Sequence, residues 1–568
     1  MSPTSPPEIA VAIIGAGASG LITGKTLLDD GFTNLTLITR DASPGGTWAA
    51  ERIYPELRLN NVHGEYHFSS LPMPGQGTTR LKGSQLKDYM ESFADAFLKG
   101  HFRYKTEVLN IRRPKTDGPI VEARDEEGWI VTIRNLKDDS TEQLKFDKIV
   151  LCTGGCSQLY IPAELEPPSS VTIPVMHSSK FWTNLEPTLS SLKTTDTLNP
   201  STVVLVGGGK STQDIATFLC KKGIRTKVVF EKADCFVCAP DAMPAFLRHC
   251  RMLSIMSPSM DLRTRLERFL HTTKLGAKIV RAHWKNMQES SYDLLKIPKD
   301  SPLRNAHPAQ WTIRLNDESN VPESFFTFTN EGKIELISPT RVIGYGDDGK
   351  SVKLKNGETI AADMVILGTG YTSSWKPLFD EETASQIGLT RTAPTSFEKW
   401  DYETLKDPPA AHPDNEQWSL SVYRGLVPAK SILRHDIAVN GAVFSVGNGY
   451  TFETSAHWIS SYFLRDPFLK LPSSVEAALA EASRVAAFVR QRWPDILLWV
   501  NDSYSANNVF FGWPQHADQL LEDMSLPSMR SGGNFLTWAF CPVSIMELRT
   551  LKEERDGNRA LFLKQTRI

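Results

Sequence analysis

The chain has 568 residues, 63 basic against 65 acidic side chains for a formal net charge of -2, and seven cysteines. That length is enough for two or three domains, each with its own core. The balanced charge argues against nucleic acid or an anionic membrane as the main partner, and the scarcity of cysteine excludes a disulfide framework and fits a reducing compartment.

The N-terminus, MSPTSPPEIAVAIIG, passes from a Pro/Ser tail into a strand without the basic start of a secretion signal. No stretch approaches the roughly 18 consecutive apolar residues of a spanning helix. The reading is therefore a cytoplasmic protein with no transmembrane segment, acting on a small molecule, its oligomeric state left open.

Residues 9–14, IAVAII, form a short apolar run that ends at GAGASG, and in the following LITGKTLLDDGF the residues Leu21, Leu27 and Leu28 keep helical spacing. LTLIT at 35–39 is the next strand and completes a β-α-β unit. Its turn carries Gly15, Gly17, Ser19 and Gly20. In a dinucleotide-binding turn such glycines permit the tight bend, close approach of a pyrophosphate to backbone N–H groups, and tight helix packing. The acidic residue expected at the end of the second strand is displaced, because Thr39 holds its place and Arg40 and Asp41 follow. Either Asp41 holds the ribose two residues late, or Thr39 and Arg40 bind it differently.

The same order returns near residue 203, where VVLV leads into GGGKST, then QDIATFLCKKG as helix and KVVF at 227–230 as strand. GGGKST suggests the phosphate loop of an ATPase, but that loop needs glycine at position 204, which is Val204. The other reading is a dinucleotide turn of Gly207, Gly209 and Thr212, with Lys210 and Ser211 inside it and Thr212 in the third-glycine place. The segments from Asp147 to Gly154 and from Asp363 to Gly370 also match, sharing D-x-[IV]-[IV]-L-x-T-G, one downstream of each turn. The unit is duplicated.

The expected fold class is α/β, with two nested Rossmann-like dinucleotide-binding domains. Residues 1–167 and 339–568 form one, and residues 168–338 the other, with a boundary in the Pro/Ser/Thr-rich stretch 160–200. A helical insertion spans about 240–310. Within it, Leu262, Leu266, Phe269 and Leu270 fall on one face, with Lys and Arg opposite. It reads as an ordinary helical cover, a substrate lid, or a surface that touches lipid.

Gly45, Gly46, Thr47 and Trp48 come between, then Asn60 and Asn61 ahead of FSSLP, and later His177 and Ser178. Taken in order, GAGASG, GGTW, the Asn pair before FSSLP, Thr153-Gly154, His177-Ser178, GGGKST, Thr369-Gly370-Tyr371 and GNGYTFETSAHW resemble the flavin-containing monooxygenases, the class B group that includes Baeyer-Villiger enzymes. The resemblance runs from about residue 9 to beyond 460. Composition and insertions resemble the fungal secondary-metabolism members. The fingerprint F-x-G-x-x-x-H-S-x-x-Y is half kept: Val171 and Ile173 replace Phe and Gly, while His177, Ser178 and an aromatic, Phe181, remain. The Baeyer-Villiger form would have Trp at 181, and Trp182 is one place late, which leans toward N- or S-oxygenation.

The resemblance implies FAD on the first turn, NADPH on the second, and O2 captured as a C4a-hydroperoxyflavin. One oxygen atom then passes to a small organic substrate at N, S or C; the alternative is Baeyer-Villiger conversion of a ketone to an ester or lactone. It implies that Asn60, eight residues before Phe68, lies near flavin and nicotinamide, with Asn61 the near alternative. An amide there can hydrogen-bond without being a stray proton source. It also implies His177 as a hinge residue between domains. From the residues alone, an Asn-Asn turn and a structural histidine stand beside these roles.

Glu231, 24 residues past Gly207, suits a free ribose 2′-hydroxyl and hence NADH, whereas Lys232, Lys210 and the family habit favour NADPH. Cys235 and Cys238 raise a distant alternative, a redox dithiol, although in the thioredoxin reductase pattern the pair precedes the second turn. Zinc binding with His249 and Cys250 fits no familiar spacing, and no metal is expected. Residues 240–310 and 500–545 are expected to shape the substrate pocket.

Overall fold

A computed structural model describes residues 6–54, 57–75, 80–114, 128–238, 248–313, 315–316, 322–390, 395–396, 398–411, 421–495 and 507–565. The start of the expected insertion, 240–247, and residues 500–506 of the expected pocket region lie outside the described residues. The chain forms two compact units, one of residues 1–157, 243–277 and 372–568 (unit 1), the other of 158–242 and 278–371 (unit 2).

Unit 1 is built on a parallel sheet with strand order Ile437–Val439, Lys148–Leu151, Val11–Ile14, Leu35–Ile38, Phe102–Arg103. Val11–Ile14 is buried along its whole length, as a central parallel strand covered on both faces must be. Successive residues alternate between two cores. Val11, Ile13, Leu35, Leu37 and Val150 cluster with residues of helices Ala18–Asp29 and Asn448–Phe463. Ala12, Ile14, Ile38, Ile149 and Leu151 cluster with an antiparallel sheet of Thr106–Arg112, Trp129–Asn135 and Thr141–Phe146.

Unit 2 repeats this plan, with strand order Val175–His177, Met364–Leu367, Thr202–Val206, Arg225–Val229, Ile334–Ile337, all parallel. Val203, Leu205, Val228 and Ile366 cluster with Ile215, Ala216 and Leu219 of helix Lys210–Lys221. Val204, Val206, Val229 and Val365 cluster with Val342, Val352 and Leu354 of an antiparallel sheet. The duplicated Asp of the sequence pattern has one job in both units. Asp147 Oδ2 accepts from the Ala10 N–H at 2.7 Å, and Asp363 Oδ2 accepts from the Thr202 N–H at 2.7 Å. Each carboxylate ties the start of one central strand to its neighbour.

The units divide at 157/158 and 371/372 rather than at 167/168 and 338/339. The reason is Met364–Leu367, which lies inside the second sheet between Val175–His177 and Thr202–Val206. The expected insertion is also split, since 243–277 clusters with unit 1. Its expected apolar face is corrected: helix Arg265–Thr272 buries Glu267, Leu270 and His271, while Leu266 and Phe269 are each 39% exposed. Glu267 completes a capping box with Thr264, and the His271 ring meets Thr404 Oγ1 at 3.0 Å and the Ile255 carbonyl at 2.8 Å. Polar side chains with partners hold the inward positions. No helix among the described residues is long and apolar enough to cross a membrane.

Candidate functional site

The first turn of each unit is set by backbone sterics. Gly15 and Gly207 have φ of 112° and 109°, a region that favours glycine. A Cβ on Gly15 would lie 2.3 Å from the Cys152 carbonyl oxygen, and one on Gly207 would lie 2.5 Å from that of Gly368. The N-caps of the following helices are Gly17 and Gly209, both extended and without a side-chain cap. Among the described residues no side chain caps the first N–H groups of either helix, which leaves two ends suited to a phosphate. Ser19 is buried, its Oγ against the backbone of Gly441, whereas Ser211 is exposed. Lys210 Nζ lies 2.6 Å from Asp214 Oδ1, one helical turn on.

In unit 1 a second glycine pair closes over the turn. The Gly45 N–H donates to the Ala16 carbonyl at 2.8 Å. Gly46 has φ of 60°, and a Cβ there would lie 2.9 Å from Gly17 Cα. Thr47 is exposed, and Trp48 meets Tyr66 edge-on, ring centroids 6.0 Å apart. GGTW therefore sits on GAGASG.

The strand ends differ. Thr39 is buried, and its Oγ1 accepts from the Asp41 N–H at 3.2 Å. Asp41 Oδ1 is held by Arg52 Nη2 at 2.6 Å, and Arg40 Nη2 donates to the Ser157 carbonyl at 2.9 Å. In unit 2 Glu231 and Lys232 are both exposed, and Glu231 Oε1 lies 3.0 Å from Lys355 Nζ. A pair that open to solvent contributes little to stability, but it turns the Glu231 charge toward a cation.

Asn60 and Asn61 lie half-buried on strand Arg58–Val62. Asn61 Nδ2 donates to Glu65 Oε2 at 3.2 Å. The Asn60 backbone carbonyl accepts from Arg248 Nη2 at 2.6 Å and Arg80 Nη1 at 3.3 Å. Among the described residues its side-chain amide makes no hydrogen bond. Arg248 also donates from Nε to Glu65 Oε1 and, at 3.2 Å, from Nη2 to Glu65 Oε2. One guanidinium thus fixes both ends of the segment and leaves the Asn60 amide available. Nothing in the sequence pointed to Arg248, which stands 188 residues from Asn60.

FSSLP is pinned from two sides. Tyr89 OH accepts from the Phe68 N–H and donates to the Leu71 carbonyl, both at 2.8 Å. Glu453, on helix Asn448–Phe463, accepts the Ser69 N–H at 2.8 Å and the Ser69 hydroxyl. Burial raises the Glu453 carboxyl to about 7, against the lowering effect of its Ser69 bonds. Sequence reasoning missed it because a lone Glu in an apolar helix carries no spacing signal.

The two T-G motifs are braced differently. Thr153 Oγ1 meets Ser374 Oγ at 2.8 Å, and Ser374 Oγ donates to the Gly154 carbonyl at 2.6 Å. Thr369 Oγ1 donates to the Tyr160 carbonyl, and the Gly370 carbonyl accepts from the Tyr160 N–H at 3.0 Å. His177 joins the second motif: its Nε2 lies 3.0 Å from the same Gly370 carbonyl and its ring is edge-on to Tyr371. The Ser179 N–H donates to Nδ1 at 3.2 Å, so the ring proton is on Nε2. Burial lowers the His177 pKa and keeps the ring neutral. Both nitrogens are hydrogen-bonded within unit 2, where His177 ties the second T-G motif to the Ser179 turn.

Cys235 and Cys238 are free thiols. Cys235 is buried on a strand, and burial pushes its thiol well above the ordinary range. The thiolate that dithiol chemistry needs is disfavoured there. The described residues hold no group of His, Cys, Asp and Glu that could bind a metal ion.

The family described as flavin-binding monooxygenase-like matches residues 8–280. The chain is 26% identical over 536 residues to an FAD-dependent monooxygenase of Aspergillus nomiae, covering 85% of this chain and 88% of that one. To an FAD-dependent monooxygenase of Alternaria brassicicola it is 25% identical over 597 residues, covering 97% and 96%. Cyclohexanone monooxygenase from Rhodococcus sp. Phi1, solved bound to NADP+, shares the fold at a TM-score of 0.56 and 14% identity, covering 91% of this chain and 97% of that one. With its ordered motifs and paired turns, this chain is similar to the flavin-binding monooxygenase-like family over residues 8–280 and to FAD-dependent monooxygenases over most of its length.

Proposed function

We propose that the protein is an FAD-dependent monooxygenase that takes hydride from NADPH and places one atom of O2 on a small, secondary-metabolite-like organic substrate. The observation that carries this reading is the pair of uncapped helix N-termini behind Gly17 and Gly209, each on its own parallel sheet. Two such ends suit two dinucleotides. Bound FAD supplies the oxygen-activating chemistry and NADPH the hydride.

The chain's own residues bind and position. Gly15, Gly17 and Gly20, closed over by Gly46, would hold the FAD pyrophosphate, with Asp41 and Arg40 at the strand end facing its ribose. Gly207, Gly209 and the Lys210 N–H would hold the nicotinamide dinucleotide. Lys232, beside Glu231 at the strand end, adds positive charge near where a 2′-phosphate would lie, and Glu231 is itself drawn to Lys355, which supports NADPH over NADH. The Asn60 amide, without a hydrogen-bond partner among the described residues, would donate to the reacting centre and carries no acidic proton that could quench it. Thr153 and Gly154 in unit 1, and Thr369, Gly370 and Tyr371 in unit 2, would line the sheet edges where the cofactors rest.

The test uses purified holoprotein with a panel of an amine, a sulfide and a ketone. Equal consumption of NADPH and O2 on substrate addition, with one labelled oxygen atom from isotopically labelled O2 in the product, is the expected outcome. An N- or S-oxide supports heteroatom oxygenation, and an ester or lactone moves the reading to Baeyer-Villiger chemistry. NADPH oxidation that needs Cys235 and no O2 would overturn the proposal.

A further inference from the structure

A helix on a protein surface ordinarily turns its apolar side to the core and its charged side to water. Helix Arg265–Thr272 of unit 1 departs from this, for only Leu270 of its apolar side chains is buried. The other inward positions are polar and partnered. Glu267 closes the capping box with Thr264 and accepts from Gln515 Nε2 at 3.3 Å, and the His271 ring is held between Thr404 and the Ile255 carbonyl. Leu266 and Phe269, three residues apart on one helical face, are left exposed. The next helix, Lys274–Leu294, starts close against this one: Thr273 Oγ1 donates to the Phe269 carbonyl at 2.7 Å, and a Cβ on Gly276 would lie 2.1 Å from the same oxygen. That contact holds Leu275, which is 62% exposed, beside the end of the first helix.

Each of these apolar side chains follows a cation, in the pairs Arg265-Leu266, Arg268-Phe269 and Lys274-Leu275. All three cations are exposed. Arg268 donates to the Leu262 and Arg263 carbonyls at 3.1 and 3.3 Å, and among the described residues no carboxylate pairs with any of the three. The surrounding chain supplies little counter-charge: between Asp261 and Glu289 stand seven basic residues and one acid, the buried Glu267. The near-neutral total of the whole chain conceals this local excess.

Uncompensated cations call for anions, and exposed Leu and Phe set among them call for an apolar phase. An anionic lipid surface supplies both, phosphates at headgroup level and acyl chains below. The long Arg and Lys stems let the charged heads stay with the phosphates while their apolar neighbours go deeper. A phosphodiester backbone would meet the cations and leave Leu266, Phe269 and Leu275 in water. We propose that this face of unit 1 is a peripheral docking surface for a bilayer containing anionic lipid, with those three side chains entering the acyl boundary and Arg265, Arg268 and Lys274 at the phosphates. The proposal goes beyond the oxygenase reading and does not depend on it.

The experiment is sedimentation of the purified protein with vesicles of phosphatidylcholine alone and of phosphatidylcholine with an equal share of phosphatidylserine. Wild type should bind the phosphatidylserine vesicles about tenfold or more tightly than the neutral ones, and added salt should weaken that binding by screening the headgroup charge. Arg265→Glu with Lys274→Glu should remove about tenfold or more of the affinity, and Leu275→Ser about fivefold, at unchanged thermal midpoint and flavin content. Arg265→Gln with Lys274→Gln takes the place of the charge reversal should that variant not fold. Equal binding to both vesicles, or wild-type affinity in the charge variants or in Leu275→Ser, would overturn the proposal. Soluble polyglutamate bound as tightly as the vesicles, with Leu275→Ser without effect on it, would place an acidic protein on this face and overturn the lipid assignment.

Discussion

In unit 1 the helix behind the turn brings Gly20 against Cys152; in unit 2 the equivalent helix brings Thr212 against Gly368. The two pairs occupy the same places, since Cys152 and Gly368 precede the T-G of the duplicated segments and Gly20 and Thr212 stand five residues after Gly15 and Gly207. A Cβ on Gly20 would meet Cys152 Cβ at 3.4 Å, and a Cβ on Gly368 would meet Thr212 Cβ at 3.4 Å. Each unit thus has room for one side chain between helix and strand, donated by the strand in unit 1 and by the helix in unit 2. The arrangements are not mirror images. A Cβ on Gly20 would also stand 2.1 Å from the Gly15 carbonyl oxygen, whereas Thr212 has a Cβ, so the unit 2 helix stands further from its own turn. A third glycine is needed only where the helix presses on the turn.

The strongest way to break this comparison is to move the unit 2 solution into unit 1. Gly20→Thr should give protein without flavin, measured as flavin content after gel filtration, and Cys152→Gly in the same chain should not restore it because the Gly15 clash remains. Normal flavin content would show that the helix can move away from its turn.

The braces of the two units sharpen the contrast through pH. Glu453 is raised by burial to about 7, so the folded state holds its proton more tightly than the unfolded chain; this stability is complete below the ordinary carboxyl range and is lost as pH rises through 7. The neutral His177 in unit 2 acts oppositely, its contribution being present above the ordinary histidine pKa and lost as pH falls. Glu453→Gln should therefore become more stable relative to wild type between pH 4.5 and 8 by roughly 3 kcal/mol in chemical unfolding. A parallel pair of pH profiles would contradict the buried carboxyl.

In unit 2 the exchange is tested by Gly368→Cys, which meets Thr212 Oγ1 at 2.0 Å and should cost about 1–3 kcal/mol as an overpacked core does. Thr212→Gly alone should cost about 1 kcal/mol, as glycine in a helix does, and the double change should recover most of the Gly368→Cys loss, a coupling that a mutant cycle measures. Additivity would show that the two positions do not share one space. The smallest effect is at the strand end, where Lys232→Ala should raise KM for NADPH about tenfold and leave NADH unchanged, as expected for one exposed charge-assisted contact.

What the sequence made legible is what repeats locally. The strand-turn-helix order around Gly15 and Gly207, and the pattern from Asp147 and Asp363, depend on neighbours a few residues apart, and both units follow them. The function of Thr212 was legible only as a departure; its partner Gly368 lies in a distant strand. Arg248, Glu65 and Glu453 escaped for the same reason, because Glu453 reaches Ser69 across 384 residues and no spacing rule covers that distance. The helix Arg265–Thr272 was turned the wrong way because hydrophobic periodicity is blind to a buried Glu267 and His271 that bring their own partners. Periodicity assigns faces where apolar area decides burial and fails where hydrogen bonds do.

Whether the two dinucleotide turns serve one flavin oxygenase is decided by anaerobic titration of the purified holoprotein with NADPH followed by admission of O2. The oxidised flavin band should bleach with one equivalent of NADPH per flavin and return when O2 enters, with O2 consumed. Protein that carries no flavin, or whose flavin stays oxidised under excess NADPH, would contradict the account.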